Sequence, residues 1–132
     1  MTQTAERLQI KATGIDHVVL WVGDLERSKR FYIDLLGMRV AHESEWQSFL
    51  WCGESNQIAL FDAARMGAGE VAGGREMNHM ALRMEPASYE ETKARLEAEG
   101  IVVEGRRGDP TCIYFDDPDG HRLQLLYKGH DD

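Results

Sequence analysis

Cysteine is scarce: only Cys52 and Cys112 occur in 132 residues, with no CxxC spacing. A disulfide-stapled scaffold and a thiolate zinc site are therefore disfavoured, and both thiols are expected to be reduced and unpaired. Basic residues are outnumbered 23 to 15 by acidic ones, leaving a formal charge of −8. This argues against nucleic-acid partners, whose binding rests on Lys and Arg neutralising phosphates, and makes a small molecule the default ligand. No stretch approaches the ~20 apolar residues of a membrane span, and Met1 to Gly14 lacks the apolar run of a signal peptide. A cytoplasmic protein without membrane contact is the expectation. A phosphate loop, a G-x-S-x-G elbow and H-E-x-x-H are also missing, which disfavours nucleotide chemistry and nucleophilic hydrolysis.

What the chain does contain is a repeat. Ile15-Asp16-His17-Val18-Val19-Leu20, followed by a helical pattern ending at Gly37, is echoed by Met77-Asn78-His79-Met80-Ala81-Leu82 and a helix ending at Gly100. The two histidines lie 62 residues apart. Such self-similarity implies two copies of one supersecondary unit, each with a histidine at the same point of its first strand. At this length the copies must share one core.

Residues 15 to 22 alternate in β fashion, with Ile15, His17, Val19 and Trp21 on one face and Asp16, Val18, Leu20 and Val22 on the other, toward a helix. Asp24 caps that helix and Gly37 closes it. Strands are predicted at 38–42, 48–52 and 57–61, giving β-α-β-β-β for module one, residues 14–62. Residues 63–76 are rich in glycine and small residues and read as a flexible linker. Module two, residues 77–128, repeats the plan: a strand over 77–84, a helix capped by Ser88 with Glu91, then strands at 101–104, 111–115 and 122–127. Asp117-Pro118-Asp119-Gly120 is a turn. His79, Ala81 and Arg83 face away from the helix; Tyr114 shares a face with Cys112, and Gln124 with Arg122 and Leu126. The fold class is α+β, built of two βαβββ modules.

The segments I-D-H-V-V-L, D-L-E-R-S-K-R-F-Y-I-D-L-L-G, N-H-M-A-L and I-Y-F-D-D-P-D-G-H-R-L-Q-L together resemble the vicinal oxygen chelate superfamily, over roughly residues 14 to 128. That group includes glyoxalase I, extradiol dioxygenases, fosfomycin-resistance transferases and bleomycin-binding proteins. The resemblance implies paired modules whose sheets form a cup around a divalent metal. His17 and His79 match two of the metal-ligand positions. Gln124 stands at the last-strand position usually held by Glu, and Ala59 at the fourth position, on the last strand of module one. Tyr114 matches the tyrosine ten residues before the last ligand in the dioxygenases and fosfomycin enzymes.

For a single histidine, packing on a strand would be the simpler account, but the duplication together with the resemblance favours a shared metal-facing role for His17 and His79. Neutral imidazole suits Fe, Mn, Ni, Zn or Co alike. Gln124 supplies a carbonyl oxygen without charge, so the ion is expected to be weakly held or absent. Tyr114 is the candidate catalytic residue, contacting a substrate oxygen. Trp21, Phe49, Trp51 and Ala59 are the candidate lining of the substrate pocket. His121, directly after Gly120, reads as a solvated loop residue, and His42 and His130 have no positional support. The leading expectation is a metal-dependent enzyme in which the ion chelates vicinal oxygens of a small molecule, with a three-ligand, dioxygenase-like or transferase-like site favoured over a glyoxalase because of Ala59. The alternative is a metal-free drug-binding protein of the bleomycin-resistance kind. A homodimer is expected, with His17 from one chain and His79 and Gln124 from the other, because open sheet edges invite pairing across a twofold axis.

Overall fold

The computed structural model describes residues 9–70, 77–84, 88–106 and 109–126. The first half runs β1 (His17–Val22), a helix over Leu25–Lys29 that widens into a π-helical turn at Arg30–Leu35, then β2 (Arg39–Glu43), β3 (Gln47–Cys52) and β4 (Asn56–Asp62). The second half runs β5 (Met80–Arg83), a helix over Tyr89–Ala98, then β6 (Glu104–Arg106), β7 (Asp109–Asp116) and β8 (Arg122–Leu126). Each half forms a four-stranded sheet, ordered β1-β4-β3-β2 and β5-β8-β7-β6. In both sheets the first strand runs parallel to the last, and the remaining neighbours are antiparallel. Two mixed sheets from two βαβββ units are the architecture that the repeat implies.

The helices start where capping chemistry places them. Asp24 accepts from the Arg27 amide at 3.0 Å and Ser88 from the Glu91 amide at 2.9 Å, each satisfying one orphan donor of a first turn. Gly37 and Gly100, at φ +76° and +80°, close the helical segments in the left-handed region. Alternation sends Leu20 and Val22 of β1 inward, as it does Leu50, Ile58 and Leu60 of β3 and β4. These residues join Leu96, Ile113, Phe115, Leu123 and Leu125 of the second half in one continuous core. Met80, Leu82 and Met84 pack against the same core. The modules thus meet through their helix-facing sides.

Several boundaries differ from expectation. β1 begins at His17 rather than Ile15, and β5 spans only Met80–Arg83 within the predicted 77–84. The strand predicted at 101–104 is instead Glu104–Arg106, because Ile101 still closes the preceding helix through its amide to the Leu96 carbonyl at 3.2 Å. The segment after Asp62 begins as a tied turn, in which the Ala63 amide donates to the Val22 carbonyl at 2.9 Å and Ala68 to Ala63 at 2.8 Å. Residues 71–76 of the predicted linker, along with Tyr127 and His130, lie outside the described residues. Both cysteines are free thiols.

The largest correction concerns His121, which is 2% exposed rather than solvated. Asp117, also buried, accepts from the His121 ring Nδ1 at 2.8 Å and from the Tyr32 hydroxyl at 2.6 Å through one oxygen. Through the other it accepts from the amides of Asp119 at 2.9 Å and His121 at 2.8 Å. Tyr32 belongs to module one, so this turn is an interlock between modules. Asp119 extends the interlock by accepting from the Gly23 amide at 3.0 Å, the Arg27 guanidinium at 2.9 Å and the Ser28 hydroxyl at 3.2 Å. At Gly23 a Cβ would stand 3.1 Å from the Asp119 carboxylate, so a side chain there would push that acceptor back by a few tenths of an ångström.

Burial opposes charge on His121, yet the hydrogen bond and charge of Asp117, with the charge of Asp119, prevail and raise its pKa above 6.5. Burial also pushes Asp117 upward, but hydrogen bonds from His121 and Tyr32 hold it below 3.8. Tyr32 sits well above 10.0, first through burial and then through the Asp117 charge. A raised histidine pKa stabilises the fold fully below its unfolded value and loses that contribution as pH rises through the folded one. A depressed carboxylate pKa stabilises above its unfolded value and loses that contribution as pH falls through the folded one. The interlock is therefore strongest between about pH 4 and about pH 6.5. Asp117→Asn is expected to cost about 3 kcal/mol near pH 6 and to flatten both limbs of the stability profile, as read by urea denaturation across pH.

Candidate functional site

The helix-free face of each sheet carries the predicted site residues. In the first sheet, His17 meets Phe49 edge to face at 5.5 Å, and Phe49 meets Phe61 at 5.8 Å. Trp21, 43% exposed, packs on Phe61 at 6.0 Å. Trp51 lies two residues beyond Phe49, opposite Gln57. His42, which alternation gave no position, stacks on Phe49 with ring centroids 4.4 Å apart and planes at 17°. A bulge at Ala41 explains the difference: Val40 pairs with Leu50 but His42, not Ala41, pairs with Phe49. The extra residue re-aims the imidazole onto the aromatic face.

In the second sheet, His79 is exposed and meets Tyr114 edge to face at 5.6 Å. Arg122 lies over the Tyr114 ring at 5.4 Å and is itself paired with Glu104 and Asp116. Gln124 is buried between Ala81 and Tyr114, its register partners on either side, and its amide nitrogen donates to the Cys112 sulfur at 3.6 Å. The amide oxygen is the group's acceptor. Burial raises the Cys52 pKa and keeps that thiol protonated, a poor nucleophile.

Register makes the two faces comparable residue by residue. β1 pairs Val19 with Ala59, and β3 pairs Phe49 with the same Ala59. β5 pairs Ala81 with Gln124, and β7 pairs Tyr114 with the same Gln124. Phe49 and Tyr114 are thus equivalent, as are Ala59 and Gln124, and each module's histidine makes the same edge-to-face contact. Module two holds a phenol and a carboxamide where module one holds a phenyl ring and a methyl group. Chemistry has been kept at three positions in the second module and at one in the first.

The histidines are also held alike. Nδ1 of His17 lies 2.8 Å from the Asp16 carboxylate, and Nδ1 of His79 lies 2.8 Å from the Asn78 carbonyl oxygen. Asp16 and the Asn78 carbonyl oxygen can only accept, so Nδ1 is the donor in both contacts, and in the neutral ring that leaves the lone pair on Nε2. This is the arrangement in which imidazole binds a metal. Neither Asp16 nor Asn78 was a sequence candidate, because strict alternation sends neighbours to opposite faces; both residues lie just outside the strands, where alternation lapses.

Within one chain the structure brings His17 together with Phe49, and His79 together with Tyr114, but no recorded contact joins one group to the other. Among the described residues no three His, Cys, Asp or Glu converge. Were His17, His79 and Gln124 brought together, two imidazole nitrogens and one amide oxygen would be donors of a kind that a divalent ion accepts. A cleft of about 770 Å³ lies elsewhere, between the first helix and residues 99–104, and three of its four arginines, Arg27, Arg95 and Arg122, are ion-paired. No helix among the described residues is long and apolar enough to cross a membrane.

Comparison with known proteins agrees with the two-sheet fold. The chain is 31% identical over 115 residues to metallothiol transferase FosB of Staphylococcus saprophyticus, covering 84% of this chain and 74% of the relative. It is 30% identical over 120 residues to lactoylglutathione lyase of Escherichia coli O157:H7, covering 83% of this chain and 89% of that one. Fosfomycin resistance protein FosX of Listeria monocytogenes, solved in complex with Mn(II) and sulfate, superimposes with a TM-score of 0.72 at 23% identity, over 89% of this chain and 91% of that one. Residues 14–125 match the family profile described as the Glyoxalase/Bleomycin resistance protein/Dioxygenase superfamily, and the chain belongs to that family.

Proposed function

We propose that this protein is a metal-dependent enzyme acting on a small molecule through adjacent oxygens, with a three-ligand site made of His17, His79 and Gln124. The observation that carries the reading is the register equivalence of Ala59 and Gln124. A four-ligand site, as the resemblance to glyoxalase I implies, needs a donor at both positions, and Ala59 has none. Among three-ligand chemistries a group transfer is favoured over a dioxygenase reaction, in keeping with the similarity to a metallothiol transferase.

A divalent ion held there supplies Lewis-acid stabilisation of negative charge developing on substrate oxygen. The chain's own groups do the rest. Tyr114, flanked by His79 and Arg122, presents its hydroxyl to a substrate oxygen, and the cation over its ring favours a donated hydrogen bond. Trp21, Phe49, Phe61 and Trp51 offer an apolar floor that orients the substrate and excludes water.

The site is complete only in a homodimer, with His17 from one chain and His79 and Gln124 from the other. Two observations support this: both histidine-bearing faces are open to solvent in one chain, and β1 and β5 are edge strands paired on one side only. Sedimentation at micromolar concentration is expected to give twice the chain mass of 15.0 kDa; a mass near 15.0 kDa would remove the composite site.

The exposed aromatic floor and acidic charge favour a second reading, a metal-free binding protein for a cationic aromatic compound. Calorimetry with Mn(II) separates the two. Wild type is expected to bind weakly, Gln124→Glu about tenfold or more tighter because a carboxylate adds charge beside the ion, and His79→Ala not at all. Equal behaviour of all three proteins would favour the metal-free reading.

A further inference from the structure

The two histidines are held by unlike partners, a carboxylate at Asp16 and a carboxamide at Asn78, in the same geometry at 2.8 Å. The difference matters because the proposed donor set is electrically neutral. Two imidazoles and the Gln124 amide leave a divalent ion with its full charge, and the usual source of compensation at the last-strand position is missing.

We infer that Asp16 is a positioning residue that supplies this compensation through the His17 ring, an inference that rests on the three-ligand reading above. Accepting the Nδ1 hydrogen, the Asp16 carboxylate orients the ring and strengthens Nε2 as a ligand. Asn78 orients His79 in the same way without adding charge. The negative charge absent from Gln124 is thereby relocated one imidazole away, on the strand of module one rather than of module two. Asp16 is 93% exposed and makes its side-chain hydrogen bond to His17, so its role is separable from folding.

The pseudosymmetry provides its own test, with Mn(II) titrated by calorimetry into the full-length chain. Asp16→Asn is expected to weaken binding about tenfold, Asn78→Asp to tighten it about tenfold, and the double exchange to return to within about threefold of wild type. Thermal midpoints should be unchanged in all three variants, and the Asp16→Asn deficit should persist at high ionic strength, where an unbonded surface charge would be screened. Wild-type affinity in Asp16→Asn, loss of the deficit in salt, or no tightening in Asn78→Asp overturns this inference while leaving the three-ligand reading intact. Failure of wild type to bind Mn(II) overturns both.

Discussion

The parallel pairing of first strand with last strand is the constraint on which the candidate site depends. In each module it sets the strand that begins at His17 or just after His79 beside the strand that ends the module, so that Val19 lies against Ala59 and Ala81 against Gln124. A ladder slipped by one residue would turn every side chain of the strand to the opposite face. The slip is blocked from the other side: Leu20, Val22, Leu60, Leu123 and Leu125 are all buried against the helices. Apolar burial on one face therefore fixes the chemistry on the other.

A second constraint is the clamp at Asp117. A turn of the Asp-Pro-Asp-Gly type is ordinarily solvated and requires little from its side chains. Here the first helix covers it, and a buried carboxylate with four donors around it becomes the contact between halves. Removing one partner of such a set leaves an uncompensated buried group, so the interlock holds the modules in one relation more strictly than apolar packing alone would. The π-helical turn at Arg30–Leu35 carries Tyr32, which is fully buried, with Phe31 beside it at 5.1 Å and Phe115 of module two beyond at 6.2 Å.

Much of this was legible in the chain. The histidine repeat, the Asp24 and Ser88 caps, the terminal glycines and the period-2 alternation placed both sheets, both helices and the separation of helix-facing from open residues. Three features were not legible, each for a physical reason. The bulge at Ala41 adds a residue that no alternation pattern can register, and it delivers His42 to the aromatic face. The burial of His121 depends on a contact between modules, about which local sequence is silent. Asp16 and Asn78 reach their histidines because both precede the ladder, Asp16 by one residue and Asn78 by two, where neighbouring side chains no longer diverge.

Fold and function make opposite demands on the two surfaces of this chain. Its stability comes from turning the helix-facing sides of both modules toward one core, which leaves both histidine faces outward. A single chain organised this way carries an imidazole on an aromatic floor on one sheet, and an imidazole, a phenol and a carboxamide on the other. Each group is already tied within its own module: Asp16 and Asn78 hold the rings at 2.8 Å, and the Gln124 amide donates to Cys112. If the two faces are united as proposed, little reordering of side chains is needed, and association is directed to the open β1 and β5 edges rather than to ordering those groups.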